Sequence, residues 1–180
     1  MPTIVCSGNQ TTYSSTWIGI DGNSSKTIQQ IGTEQDCIKG VPTYFTWYEM
    51  YPKKQVNFNL PIKPGDSMSA EVEYVGNNTY KFTLNNLTTG QSYTTSDQSS
   101  KPIRSSAEWV MEGTGPLANF GTMTFTGASA TANGHTGTIS DPAWQNDPIT
   151  MVQSKSGDVK AAPGPLSSDG SSFSVNWVQQ

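Results

Sequence analysis

Between Ser69 and Leu84 the chain reads SAEVEYVGNNTYKFTL, with large apolar side chains at every second position on both sides of a Gly-Asn-Asn break. A period of two places Ala70, Val72 and Tyr74 on one face of an extended strand, and Tyr80, Phe82 and Leu84 on one face of the next. Gly76-Asn77-Asn78 supplies residue types that tolerate left-handed backbone, so the stretch predicts a β-hairpin. The same alternation returns in STWIGI (15–20), TYFTWYEMY (43–51), SAEWVME (106–112), FGTMTFTG (120–127) and FSVNWVQQ (173–180). Gly, Pro, Asn and Asp punctuate these runs at roughly ten-residue intervals, and no stretch carries the pattern of a three-turn helix. PIKPGDS (61–67) and residues 154–171 read as loops. Many short strands, with neither an internal repeat nor a linker, predict one all-β domain over residues 1–180, a sandwich or barrel of antiparallel strands.

Only 13% of the residues are charged, against roughly 25% in ordinary domains. Every carboxylate therefore stands out. The formal net charge of −4 and the absence of a basic cluster argue against a nucleic-acid partner. Few titratable groups also mean little charge gained on acidification, which suits an acidic medium. No apolar run approaches the ~20 residues of a membrane span, and no signal-peptide pattern opens the chain, which reads as a mature soluble form. Cys6 and Cys37 either close one disulfide or are separate buried thiols. Asn9, Asn23, Asn77 and Asn86 each begin an Asn-x-Ser/Thr triplet, the acceptor pattern of a secretory pathway.

Two strands carry acids in unusual places. In SAEWVME, alternation sets Glu108, Val110 and Glu112 against Ala107, Trp109 and Met111. In TWYEMY, Trp47, Glu49 and Tyr51 share a face, so an acid lies between two aromatics. Aromatic walls lower the local dielectric and raise a carboxyl pKa, which prepares the group for proton transfer. The plainer account is a solvated acidic face opposite packed tryptophans. His135, the single histidine, lies in the loop-like string ATANGHTG away from any nucleophile motif. With one His and two Cys far apart, neither a Ser-His-Asp triad nor a zinc set is predicted, and no metal or cofactor is expected.

STWIGIDG (15–22), QQIG (29–32), WYEMYP (47–52) and SAEWVME (106–112), in this order and spacing, resemble the glutamic peptidase family, the eqolisins. The resemblance runs from about Pro2 to the FSVNWV ending. It implies a sandwich of two antiparallel sheets of the concanavalin-like, jelly-roll type, and a secreted endopeptidase that acts in acid on polypeptides. The family's catalytic glutamate matches Glu108 and its catalytic glutamine matches Gln30, with Gln29 the adjacent alternative. Trp17, Asp21, Trp47 and Glu49 match residues that line the family's site, and Glu34 falls where the family has an aspartate. Glu112, on the same face as Glu108, is the alternative acid. The implied chemistry has Glu108 as base and then acid, with Gln30 as an oxyanion donor, while Asp21, Glu34 and Glu49 set the carboxyl pKa. Family members begin with a further segment that this chain does not show. Some are cut into light and heavy chains that stay associated, so a separate N-terminal segment is an expected partner of an otherwise monomeric chain.

Each residue also has a duller reading. Gln30 is a turn cap, Asp21-Gly22 a turn pair, and Trp17, Trp47 and Trp109 core. Two other functions fit an aromatic, acid-bearing sandwich. A glycoside hydrolase would pair Glu49 with Glu108 across a groove, and a lectin-like module would expose coplanar tryptophans with no perturbed carboxyl.

Overall fold

The computed structural model describes all residues, Met1–Gln180, as strands joined by turns and loops, with no helix. In chain order the strands are β1 (Ser15–Ile20), β2 (Ile28–Ile38), β3 (Val41–Tyr51), β4 (Val56–Phe58), β5 (Met68–Gly76), β6 (Thr79–Asn86) and β7 (Gln91–Gln98). They continue as β8 (Ala107–Glu112), β9 (Thr122–Phe125), β10 (Ser129–Ala132), β11 (His135–Thr138), β12 (Met151–Val152), β13 (Val159–Pro163) and β14 (Phe173–Trp177). The hairpin read from SAEVEYVGNNTYKFTL is β5–β6, with Ala70, Val72 and Tyr74 opposite Leu84, Phe82 and Tyr80. Asn77 and Asn78 both take positive φ, 50° and 57°, as a two-residue hairpin turn of this twist requires.

One layer is a five-stranded antiparallel sheet in the order β4-β3-β2-β1-β8. The facing layer is divided between β5-β6-β7 and β12-β13-β14-β9. Two cores join the layers. Ile31 and Met50 of the large sheet pack with Tyr80, Phe82 and Leu84 of β6 in one, with Ile18 and Ile20 alongside. Met111 and Cys37 pack with Phe125, Ala161 and Val175 in the other, with Trp109 and Tyr44 alongside. The inner face of the large sheet is thus given by Ile18 and Ile20, Ile31, Tyr48 and Met50, and Trp109 and Met111. Their sequence neighbours necessarily face the opposite way. Cys6 and Cys37 are joined in a disulfide with a Cα–Cα separation of 5.6 Å, tying the N-terminal segment to the end of β2. No helix is long and apolar enough to cross a membrane.

Three segments differ from the sequence expectation. Residues 154–171, read as a loop, contain β13, which pairs on both sides with β12 and β14. ATANGHTG forms the β10–β11 hairpin, in which His135 is exposed and pairs with Asp141 at 3.1 Å. Most consequential, QQIG is no turn: it lies in β2, an eleven-residue central strand paired along its length with β3. Its alternation is hidden because both faces carry polar residues. The inner ones are satisfied internally. Gln35 Nε2 donates to the Thr33 carbonyl at 2.8 Å, and Thr16 Oγ1 donates to Gln35 Oε1 at 3.0 Å.

Candidate active site

The outer face of the large sheet collects the residues that the sequence singles out. Register places them in rows. Gln30 stands opposite Glu49 on one side and Gly19 on the other, and Gly19 stands opposite Glu108. The next row is Trp47, Gly32, Trp17 and Val110, and the one after it is Phe45, Glu34, Ser15 and Glu112. Gln29 faces inward and is fully buried, so Gln30 is the glutamine on this face. Asp36, two residues beyond Glu34 on the same side of β2, adds an acid that no sequence motif marks.

Three glycines make room. Gly19 lies between Gln30 and Glu108, whose backbones are two strand spacings apart, roughly 10 Å, and its missing side chain makes room for the Trp17 ring. A Cβ on Gly19 would lie 3.1 Å from the Trp17 ring and 3.2 Å from the Gln30 Cβ. Gly22, at φ 118° in a region that L side chains avoid, brings its backbone against Glu108: a Cβ there would lie 2.9 Å and 3.0 Å from the two carboxyl oxygens. Gly32 seats Trp17, and a Cβ on it would lie 2.6 Å from the Trp17 Cβ and press on the Thr16 carbonyl. Gly32→Ala is therefore expected to lower unfolding free energy by about 1–3 kcal/mol, the usual effect of overpacking, readable as a drop in the urea midpoint at unchanged slope.

Most polar groups of the face have a defined hold, and two buried atoms, Gln30 Oε1 and Trp47 Nε1, have none. Gln30 Nε2 donates to Glu49 Oε2 at 2.6 Å, while Gln30 Oε1 is buried without a partner. Trp17 Nε1 donates to Glu112 Oε1 at 3.0 Å, and Ser106 Oγ donates to Glu108 Oε1 at 2.9 Å. Sequence reasoning misses Ser106, whose only signal is its place two residues before Glu108. Asp21 has another task than lining the cleft. It is fully buried, and its carboxyl accepts from the Ser105 N–H at 2.9 Å and the Ile103 N–H at 3.1 Å. By gripping that loop it sets the entry of β8, and hence Ser106 and Glu108. Trp17 and Trp47 are only 5% and 4% exposed, so they act as walls and not as open stacking platforms.

The carboxyls titrate high. Burial, then the neighbouring Asp36 charge, pushes Glu34 from an ordinary 4.5 up to about 7. Burial likewise pushes Asp36 from 3.8 up to about 6, opposed by the Ser14 N–H and by Glu34 itself. Glu108 is raised by burial, with the Ser106 hydroxyl and Asn23 N–H opposing and the Asp21 and Glu112 charges adding. Glu49 is raised by burial and held back by Gln30. Glu112 is raised by burial against its hydrogen bond from Trp17, with the Glu49 charge adding. No cation answers them, since the salt bridges of the molecule lie at Lys53–Asp97, Lys81–Glu73 and His135–Asp141.

This constellation gathers carboxyls of raised pKa and one uncharged amide on a single sheet face. It does not favour the carbohydrate readings. Glu49 and Glu108 are separated by three strand spacings, roughly 14 Å between backbones, with Gln30 and Gly19 interposed. Glu49 is moreover hydrogen-bonded to Gln30, which lies between the two acids, and not turned to a groove shared with Glu108. A lectin-like module would present exposed rings and unperturbed acids, which is the reverse of what is found. Two concavities elsewhere, one of about 180 Å³ beside Leu117 and Trp177 and an open one of about 520 Å³ beside Lys160, have no carboxyl side chain in their lining.

The chain is similar to known proteins in sequence and in fold. The sequence model of the peptidase A4 family matches residues 1–169. Aspergillopepsin-2 of Aspergillus niger is 36% identical over 133 residues, covering 68% of this chain and 47% of its own length. Scytalidopepsin B of Scytalidium lignicola is 35% identical over 111 residues, covering 59% of this chain and 42% of its own. The chain thus spans about half the length of the curated relatives it matches. In three dimensions it is similar to the crystal structure of aspergilloglutamic peptidase from Aspergillus niger, with a TM-score of 0.80, 31% identity, and coverage of 93% of this chain and 99% of that one. Scytalido-glutamic peptidase, solved with a transition-state analogue inhibitor, gives a TM-score of 0.79 at 26% identity over 98% of this chain and 89% of that one.

Proposed function

The chain belongs to the peptidase A4 family, and from that premise we propose that it is an acid-acting, pepstatin-insensitive endopeptidase whose catalytic pair is Glu108 and Gln30. The observation that carries this reading is the row Glu49, Gln30, Gly19, Glu108, in which one carboxyl and one amide stand on either side of a residue with no side chain. Ionised Glu108 takes a proton from water as the water oxygen bonds to the scissile carbonyl carbon. The carbonyl oxygen, now an oxyanion, accepts a hydrogen bond from Gln30 Nε2. Glu108 then passes the proton to the leaving nitrogen as the C–N bond breaks, which returns the carboxylate. One group serves both steps because the proton it takes from water is the one the leaving nitrogen needs, and its raised pKa makes the ionised form a stronger base toward that water.

The substrates of this reading are polypeptides, and the setting is extracellular and acidic. The Cys6–Cys37 disulfide and the sparse charge support the setting. The experiment is cleavage of a denatured protein from pH 2 to 8, with and without pepstatin, by the chain alone and by the chain mixed with an N-terminal segment of the family's pattern. Cleavage confined to acid, indifferent to pepstatin and reduced about 10²–10³-fold in kcat by Gln30→Ala is the expected result. Equal cleavage by the parent and Gln30→Ala chains would reject the pair.

A further inference from the structure

The amide of Gln30 has two edges that are alike in shape and opposite in hydrogen bonding. A half-turn about its last bond exchanges Oε1 and Nε2 at little steric cost, yet only the Nε2 edge can donate to an oxyanion. Something must select the orientation. At the Oε1 end nothing does, since that atom is buried and has no partner. At the other end Glu49 Oε2 accepts from Nε2 at 2.6 Å. Glu49 is the cross-strand partner of Gln30 in the β2–β3 register, so its position is fixed by the ladder and not by a loop. A half-turned amide would forfeit this hydrogen bond and set Oε1 against the Glu49 oxygen that now accepts from Nε2.

We propose that Glu49 is the positioning residue for Gln30: it holds one N–H of the amide and so keeps the donor edge, with the second N–H, available to the reacting carbonyl. This rests on the Glu108–Gln30 reading above and gives Glu49 a different task from setting a pKa. An isosteric Glu49→Gln change keeps size and position but offers either an acceptor or a donor, so it lets the Gln30 amide adopt both orientations. The effect belongs in kcat and not in KM, because the substrate chain is bound by surfaces that this change does not alter.

The test has two arms. In the first, kcat and KM are measured for the parent, Glu49→Gln, Gln30→Ala and the double variant at the optimum pH. The expected result is a fall in kcat of about tenfold to a hundredfold in Glu49→Gln with KM within twofold, and no further fall when Glu49→Gln is added to Gln30→Ala. Additive losses in the double variant would overturn the proposal. A loss carried in KM would do the same. In the second arm, 15N spectra of the Glu108→Gln protein follow the Gln30 side-chain NH₂ pair, identified by its disappearance in Gln30→Ala. Its two proton signals should be widely separated with Glu49 present, and should move together or broaden in Glu49→Gln. An unchanged pair would overturn the proposal. This arm needs no turnover, so it reads the amide even where Gln30→Ala in the first arm shows the catalytic reading itself to be wrong.

Discussion

Glu108→Gln should lower kcat by about 10³–10⁴-fold while leaving KM and the fold almost unchanged. The general base and the general acid are the same carboxyl in this mechanism, so its loss forfeits both proton transfers, at the upper end of what such catalysis contributes. Glutamine fits the site. Its amide fills the volume against Gly22 and still pairs with the Ser106 hydroxyl, so the variant isolates proton transfer from packing. The control is Glu112→Gln. Glu112 shares the face of Glu108, but it accepts from Trp17 Nε1 at 3.0 Å, a task that a glutamine oxygen can continue. Its kcat should stay within about tenfold of the parent. Steady-state kinetics on a fluorogenic peptide at pH 3–5 separates the two, and an inert Glu112→Gln beside an active Glu108→Gln would exchange their roles.

Much of this site is legible in the amino-acid order alone because alternation is a geometric code. Glu108 and Glu112 share a face, as do Trp47 and Glu49, since strands project every second side chain the same way, and β1, β3 and β8 advertise that alternation with apolar partners. β2 is not legible as a strand. Its inner positions Gln29, Thr33 and Gln35 are as polar as its outer ones, so no hydrophobic period marks it, and only the family resemblance singles out Gln30. What no local pattern encodes is cross-strand register. That Gln30, Gly19 and Glu108 stand in one row follows from the pairing of β1 with β2 and with β8, the latter joining Gly19 to a residue about ninety positions away, and the hold of Glu49 on Gln30 follows from the β2–β3 register. The WIGIDG string is enough to bring Asp21 to the site, yet its burial beneath the β8 entry is a tertiary fact.

The acid layer has a second consequence, in stability. Glu34 has a folded pKa of about 7 against an ordinary 4.5, raised mainly by burial and by Asp36. The folded chain therefore keeps a proton that the unfolded chain releases. Below about pH 4.5 both states hold it and the fold loses nothing, whereas between pH 4.5 and 7 the unfolded state gains by ionising and stability falls. The shift corresponds to a loss on the order of 3 kcal/mol by neutral pH. Asp36, with a folded value of about 6 against 3.8, and the raised Glu49, Glu108 and Glu112 all act with the same sign. A protein of this kind should be most stable in acid, the reverse of one held by salt-bridged carboxylates. Glu34→Gln keeps the neutral shape and removes the ionisation. Measured by urea unfolding in a Glu108→Gln background, which limits self-digestion, it should match its parent at pH 3.5 and exceed it at pH 7.5 by on the order of 3 kcal/mol. The midpoint of thermal unfolding at pH 7.5 should rise by about 6–12 °C, at about 2–4 °C per kcal/mol for a domain of this size. Equal shifts at both pH values would mean that Glu34 acts through packing. A parent that grows more stable from pH 4.5 to 7 would mean that Glu34 does not keep its proton in the fold.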